Sequence, residues 1–271
     1  MFEDQYLKLI SDVILRGEVR EDRTDVGTRS LFGAVLESDL QEEFPLLLTR
    51  PVSWKTMLIE LMWMISGNTN VRDLQNQGVK IWDAWADEHG QLGPVYGAQW
   101  RAWEARDGRL VDQLANVIKE IKVSPNSRRL IVNAWNVGEL HKMALPPCHV
   151  MFQFYVRRGA WLDCQMYQRS SDLCVGMPFN MAAYATLTTM VARECNLLPG
   201  KVCITIGDAH VYENHLDQAR GMIQRYDGEI PNTAELVYSR PKDGFFAARK
   251  EDFYMRGYEP YGDPIKWEVA V

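Results

Sequence analysis

The sequence predicts an α+β fold in a single domain, residues 1–271, with a mixed sheet packed against a long buried helix and flanked by further helices. Three observations carry this. Apolar residues recur both at helical spacing and in the short runs typical of strands. Helical and strand segments alternate without the regular βαβ rhythm of a doubly wound sheet. No Pro/Gly/Ser linker, low-complexity tract or internal repeat divides the chain.

The elements follow in order. Residues 1–17 read as an amphipathic helix with Phe2, Tyr6, Leu9, Val13 and Ile14 on one side, stopped at Gly17. Arg20 to Thr28 is polar and reads as a loop, leading into a strand near Arg29 to Glu37. From Trp54 to Ile65, Trp54, Met57, Leu58, Leu61, Met62 and Ile65 keep helical spacing. Ile59, Trp63 and Met64 add apolar groups off that stripe, so this helix is expected to be buried nearly all round. A second helix covers 111–122 and ends before Pro125. Strands are expected at Leu130 to Trp135, Val150 to Val156 and Trp161 to Tyr167. A long buried helix is expected at Phe179 to Cys195, and a short strand at Val202 to Ile206. The tail from Trp267 to Val271 is unusually apolar for a terminus; it either docks or frays.

Composition narrows the function classes. Hydrophobic residues make up 46%, ample for a large core, and the net charge of −6 gives no overall pull toward nucleic acid or acidic membranes. Any anion site must therefore be local. The five cysteines, Cys148, Cys164, Cys174, Cys195 and Cys203, are odd in number and lack Cys-x-x-Cys pairing, which argues against a disulfide framework and a zinc site. Neither a signal peptide nor a membrane-spanning apolar run is evident, so a reduced, cytoplasmic protein is expected.

Five places carry possible chemistry. Leu145-Pro146-Pro147-Cys148-His149 sets one thiol between two prolines and a histidine at the start of a strand. Alone, such a cysteine reads as a small buried hydrophobe. Near cationic groups it could ionise and attack carbon. Arg23, the Arg128-Arg129 pair and Arg169 could be solvated salt-bridge partners. Arg169, following a strand of core residues and flanked by Gln168 and Ser170, also suits a phosphate cradle. Asn180, in Met177-Pro178-Phe179-Asn180, could cap the long helix or offer its amide to the N3–H and O4 edge of uracil, given neighbours that fix its orientation. His210 and Tyr212, two apart, would share one side of an extended stretch and could grip sugar hydroxyls, or be an incidental surface-loop pair. Glu60, among apolar residues, could pair with an arginine or have its pKa raised by burial into the range useful for proton transfer.

These segments in order closely resemble the thymidylate synthase family over nearly the whole chain. The runs are Ile81-Trp82-Asp83, Asp87-Glu88, Leu92 to Gly97, Gln99-Trp100-Arg101, Ser127-Arg128-Arg129, Ala134-Trp135-Asn136, Met143 to His149, Gln165 to Ser170, Pro178-Phe179-Asn180 and Asp208 to Tyr212. The resemblance implies an α+β homodimer that converts dUMP to dTMP with 5,10-methylenetetrahydrofolate as co-substrate and no metal. It implies that Cys148 adds to C6 of the uracil ring. Arg23, Arg169 and Ser170 would bind the 5′-phosphate, joined by Arg128 and Arg129 from the partner subunit. Asn180 would read the base edge, with His149, Gln168 and Asp172 also in the nucleotide site, and His210 and Tyr212 would hold the 3′-hydroxyl. Glu60 would organise proton transfer, Tyr96 would help remove the C5 proton, and Asp172 would also take part in catalysis. Ile81, Trp82, Trp85, Asp172, Gly176 and Phe179 would form the folate site, with Ala270 and Val271 closing over it.

One segment departs from the family pattern. Thr24-Asp25-Val26-Gly27 brings a carboxylate beside a phosphate site, so Asp25 is expected to face solvent. Two other readings compete. A dUMP hydroxymethylase would use much the same apparatus with water as the final nucleophile; a dCMP-specific version should carry Asp in place of Asn180. A non-catalytic nucleotide- or RNA-binding relative should have lost Cys148, Glu60 or an arginine, and none is missing. The negative net charge gives RNA binding no support.

Overall fold

Helix α1 (Phe2–Arg16) buries Phe2, Tyr6, Ile10, Val13 and Ile14 on one face and ends where Gly17 passes so close to the preceding turn that a Cβ would sit 2.3 Å from the Val13 carbonyl oxygen. The computed structural model describes residues 1–21, 25–261 and 263–268. After α1 come strands β1 (Glu18–Arg20) and β2 (Thr28–Asp39), then helices α2 (Trp54–Ile65), α3 (Arg72–Gln75) and α4 (Tyr96–Ala102). The short pair β3 (Trp103–Glu104) and β4 (Leu110–Val111) precedes α5 (Gln113–Val123) and β5 (Ile131–Asn133). The second half is β6 (His149–Arg157), β7 (Trp161–Asp172), α6 (Gly176–Glu194), β8 (Leu198–Tyr212), α7 (Leu216–Gln224), β9 (Glu235–Tyr238) and β10 (Phe253–Arg256).

The main sheet has strand order β1-β2-β8-β7-β6-β5; only β7 and β8 run parallel. Helix α6 makes that crossover, so the polypeptide leaves the sheet at Asp172, traverses its buried face and returns at Leu198. Phe152, Phe154, Leu162, Met166, Ile204 and Ile206 project onto the α6 side and are all at most 1% exposed. Thr186, Thr188 and Thr189 lie buried in that helix because each hydroxyl donates to a carbonyl one turn back, at 2.8, 2.7 and 2.9 Å. The opposite face alternates outward and presents Val35, Gln165, Tyr155 and Tyr167 to solvent.

The α+β class holds, and several boundaries move. β7 does not stop at Tyr167 but continues through Asp172, and β8 extends through Tyr212, because the two pair in register from Gln168↔Ile206 to Asp172↔His210. His210 and Tyr212 therefore stand on a central strand rather than a surface loop. Helix α6 begins at Gly176, so Asn180 lies inside its first turns and does not cap it. The start is held by Asp172, whose Oδ1 accepts from the Cys174 and Val175 amides at 2.8 and 3.1 Å, and Pro178 is tolerated in the first turn. Arg20 and Thr28 pair as strand residues rather than loop. Helix α2 has the expected bounds but is not buried all round: Lys55 is exposed and Trp54, Ile59 and Met62 are half-buried. Asp25 is exposed, with φ of 58°. The tail docks as far as Glu268; Val269, Ala270 and Val271 lie outside the described residues. Among the described residues, no helix is long and apolar enough to cross a membrane.

Candidate active site

The ends of β6, β7 and β8, the start of α6 and one face of α2 surround a cavity of about 330 Å³. Glu60, Trp82, Trp85, Tyr96, Cys148, His149, Gln168, Arg169, Ser170, Asp172, Gly176, Asn180, His210 and Tyr212 all line it. Volume does not single it out, because a groove beside Phe44, Thr189 and Arg193 measures about 430 Å³. Chemistry does: among the cavities described, this one brings together a thiol, carboxylates, amides and a guanidinium.

The loop carrying Cys148 is clamped from two sides. Its backbone N–H donates to the Tyr96 hydroxyl at 2.8 Å. Arg169 reaches back from β7, donating through Nε to the Pro147 carbonyl at 2.9 Å and through Nη2 to that of Pro146 at 2.8 Å. The guanidinium also sits 5.5 Å from the Trp135 ring. Two donors thus fix the thiol loop while the guanidinium borders the cavity. Ser170 lines both this cavity and an adjoining pocket with Arg20, Thr28, Asp208, His210 and Tyr212. There His210 Nδ1 and Asp208 Oδ1 lie 3.0 Å apart, and the hydrogen bond to His210 lowers the Asp208 pKa.

On the far wall the Trp82 indole donates to Glu60 at 2.7 Å. Among the described residues no salt bridge holds Glu60. Burial raises its pKa to about 7, and the Trp82 bond opposes that only in part. Trp82 stands edge-on to Trp85 at 5.8 Å and to Tyr96 at 6.0 Å, giving an aromatic wall. Tyr96 is raised well above the usual phenol range, first by burial and then by the nearby Cys148. Its hydroxyl stays protonated, which suits it to orienting a base rather than being one.

The Asn180 amide has a neighbour that fixes its orientation. The Ser170 carbonyl can only accept, so Gln168 presents Nε2 to it at 3.1 Å; the same nitrogen donates to Asn180 Oδ1 at 2.9 Å. His149 lies beside them with its pKa lowered to about 4, chiefly by burial, and is therefore neutral. Ile81 and Phe179 do not line the cavity; Ile81 is exposed and Phe179 is half-buried against the core. Arg128 and Arg129 are exposed and outside it, before the edge strand β5. Arg23, Ala270 and Val271 lie outside the described residues. The sequence reading missed Met64, Leu145 and Val175 in the lining; Met64, one helical turn after Glu60, was findable from that spacing.

Asp172, Cys174 and His215 have ligand-type atoms within 4.8 Å of one another. Burial raises the Cys174 thiol far above its ordinary range, Asp172 Oδ1 already accepts two amides at the start of α6, and His215 Nε2 lies 2.7 Å from the Glu268 carbonyl oxygen. The family model described as thymidylate synthase matches residues 4–271. With a proline-held thiol, an oriented amide and a raised carboxyl around one cavity, and that match over essentially the whole length, the chain belongs to the thymidylate synthase family.

Proposed function

We propose that the protein is a cytoplasmic, homodimeric, single-domain enzyme that reductively methylates dUMP to dTMP. The observation that carries this is the shared cavity of Cys148, the oriented Asn180 amide and a Glu60 carboxyl poised near neutrality. Cys148 as thiolate adds to C6 of the uracil ring, and the electron pair moves onto C5 and O4, making C5 nucleophilic. Asn180 donates toward O4 and accepts from N3–H, while Glu60 supplies and recovers protons near O4. Arg169, Ser170 and Arg23 hold the phosphate, and His210 and Tyr212 the ribose hydroxyl. Tyr96 orients the base that takes the C5 proton, and expulsion of the Cys148 sulfur restores the ring. 5,10-Methylenetetrahydrofolate supplies the carbon and the hydride and leaves as dihydrofolate. The Trp82–Trp85 wall with Met64, Val175 and the Asp172 carboxylate suits a flat, hydrogen-bonding ring of that kind.

The decisive experiment combines purified protein, dUMP and the folate, follows dihydrofolate absorbance and identifies the nucleotide by mass. dTMP with stoichiometric dihydrofolate supports the reading. 5-Hydroxymethyl-dUMP with tetrahydrofolate would replace it with a hydroxymethylase.

Asn180→Asp tests base reading. Gln168 can still donate to the new carboxylate, so the variant should fold. The uracil N3–H retains an acceptor, but O4 now meets one too. dUMP turnover should fall on the order of 100-fold while dCMP becomes accepted; an unchanged preference in nucleotide competition assays would move base reading elsewhere.

The outward sheet face with Val35, Tyr155 and Tyr167 supports self-association, and the exposed Arg128 and Arg129 suit a partner's phosphate site. Mixing Arg128→Ala, Arg129→Ala subunits with Cys148→Ala subunits should restore activity in heterodimers carrying one intact shared site. Inactive, verified heterodimers would count against sharing. Five cysteines in the reduced form fit a reducing compartment.

A further inference from the structure

Strand β8 carries Asp208, His210 and Tyr212 at alternate positions, and all three turn toward one adjoining pocket. Across the sheet Asp208 pairs with Ser170 of β7, and His210 with Asp172. The Asp208 carboxylate is shared between two partners. Its Oδ1 lies 3.0 Å from His210 Nδ1, and its Oδ2 accepts from Arg20 Nη1 at 3.2 Å. Arg20 comes from the edge strand β1, so the chain Arg20–Asp208–His210 runs from the sheet edge inward. Along it Arg20 is exposed, Asp208 is half-buried and His210 is 8% exposed.

This pairing decides which nitrogen of His210 holds the proton. A carboxylate can only accept, and the bond to His210 holds the Asp208 carboxyl below its usual range, so Nδ1 is the donor. In the neutral imidazole Nε2 then keeps its lone pair and accepts. His210 and Tyr212 both line the main cavity, with their rings edge-to-face at 5.3 Å. A hydroxyl arriving there meets an acceptor on His210. Asp208 does not line that cavity, so it can act on a ligand there only through His210. Its charge is otherwise out of place. A carboxylate opposite Ser170 opposes an anion, and the Arg20 pair, open to solvent, offsets that only in part.

We propose that Asp208, backed by Arg20, is a positioning residue that fixes His210 with its proton on Nδ1, so that the sugar subsite selects a nucleotide whose 3′-hydroxyl donates a hydrogen bond. The consequence for nucleotides rests on the proposed function above; the tautomer of His210 does not.

Two measurements on the full-length enzyme test this. Nitrogen NMR of the histidine rings at about pH 9, where an ordinary imidazole is neutral, should show His210 protonated on Nδ1. Its signals are assigned by their loss in His210→Gln. Asp208→Asn should bring in an Nε2-protonated fraction, because an amide can donate to Nδ1 as well as accept from it. Calorimetry gives the second readout. Wild-type enzyme should bind dUMP on the order of tenfold more tightly than the analogue lacking the 3′-hydroxyl, the worth of one hydrogen bond. In Asp208→Asn that preference should shrink to about threefold or less, with the Kd of the analogue within about twofold of wild type. Arg20→Gln should move the preference the same way by about twofold, as suits an exposed pair. An Nε2-protonated His210 in the wild-type enzyme, or a tautomer that Asp208→Asn leaves unaltered, would overturn the proposal. So would an equal loss of affinity for both nucleotides, which would mark Asp208 as purely structural. Should the wild-type enzyme bind no dUMP, the nucleotide reading fails while the spectra still judge the tautomer.

Discussion

Cys148→Ala is expected to reduce turnover by about four orders of magnitude or more and to abolish the denaturation-resistant adduct with 5-fluoro-dUMP. The loop should survive, because its supports are backbone atoms: the Cys148 N–H bonded to Tyr96, and the Pro146 and Pro147 carbonyls bonded to Arg169. dUMP should therefore still bind within a few-fold of wild type, as titration calorimetry can show. No other thiol can substitute. Cys164 and Cys174 are 2% and 0% exposed, and burial pushes Cys164 up to about 12. Cys195 is pushed up to about 11 by burial, and Cys203 is also raised; neither lines the cavity. Serine at 148 should be nearly as inactive as alanine, since a hydroxyl far above neutrality furnishes almost no alkoxide. An adduct of undiminished yield in Cys148→Ala would remove the nucleophile from this site and the proposed mechanism with it.

Much of this arrangement was legible because local signals and global packing agree. Helix α2 was found at its true ends from apolar spacing alone, Trp54 and Ile65 being both the first and last apolar positions and the ends of the helix. β6 was legible as an apolar run. Where the sequence reading stopped short, the cause is tertiary. β7 runs past Tyr167 into Gln168-Arg169-Ser170-Ser171-Asp172, a polar stretch with no strand pattern; it is extended because β8 pairs with it through Asp172, while β6 reaches only Gln168. The same pairing draws Gly207 to Tyr212 into β8, where no Cβ at Gly207 could fit, as one would lie 2.7 Å from the Arg169 carbonyl oxygen. Residues that line the cavity thus sit on strands whose polarity hides them. Of the two readings open for Asn180, the cap falls, because Asp172 accepts the amides ahead of the helix from outside it. The pairing of Glu60 with Trp82 was invisible locally, being a contact across 22 positions. Helix α7 was missed although Leu216, Ala219 and Met222 are buried at three-residue spacing, because the window is short and otherwise polar.

Glu60→Gln should separate function from stability with opposite signs. The amide keeps an oxygen for the Trp82 indole but cannot exchange a proton, so kcat should fall on the order of 100- to 1,000-fold, and any limb of the pH–rate profile arising from this carboxyl near pH 7 should vanish. Stability should move the other way. The folded-state pKa of Glu60 is raised by burial from 4.5 to about 7, so between those values the folded protein holds a proton that the unfolded chain releases. Its favourable contribution is complete below about pH 4.5 and lost as pH rises through 7, because ionisation within the cavity then opposes folding. The shift corresponds to a ceiling of about 3 kcal/mol, which partial access to solvent in the cavity reduces. Gln carries no such penalty, so melting curves should show the variant gaining on wild type by about 1–3 kcal/mol above pH 8. The two should converge toward pH 5. A stability difference independent of pH would mean that Glu60 is not the titrating group, and a variant of full activity would show that the proton passes by another route. A gain confined to high pH, together with lost turnover, would identify Glu60 as a carboxyl kept at a cost to the fold because the reaction needs a proton donor that is still half-protonated at neutrality.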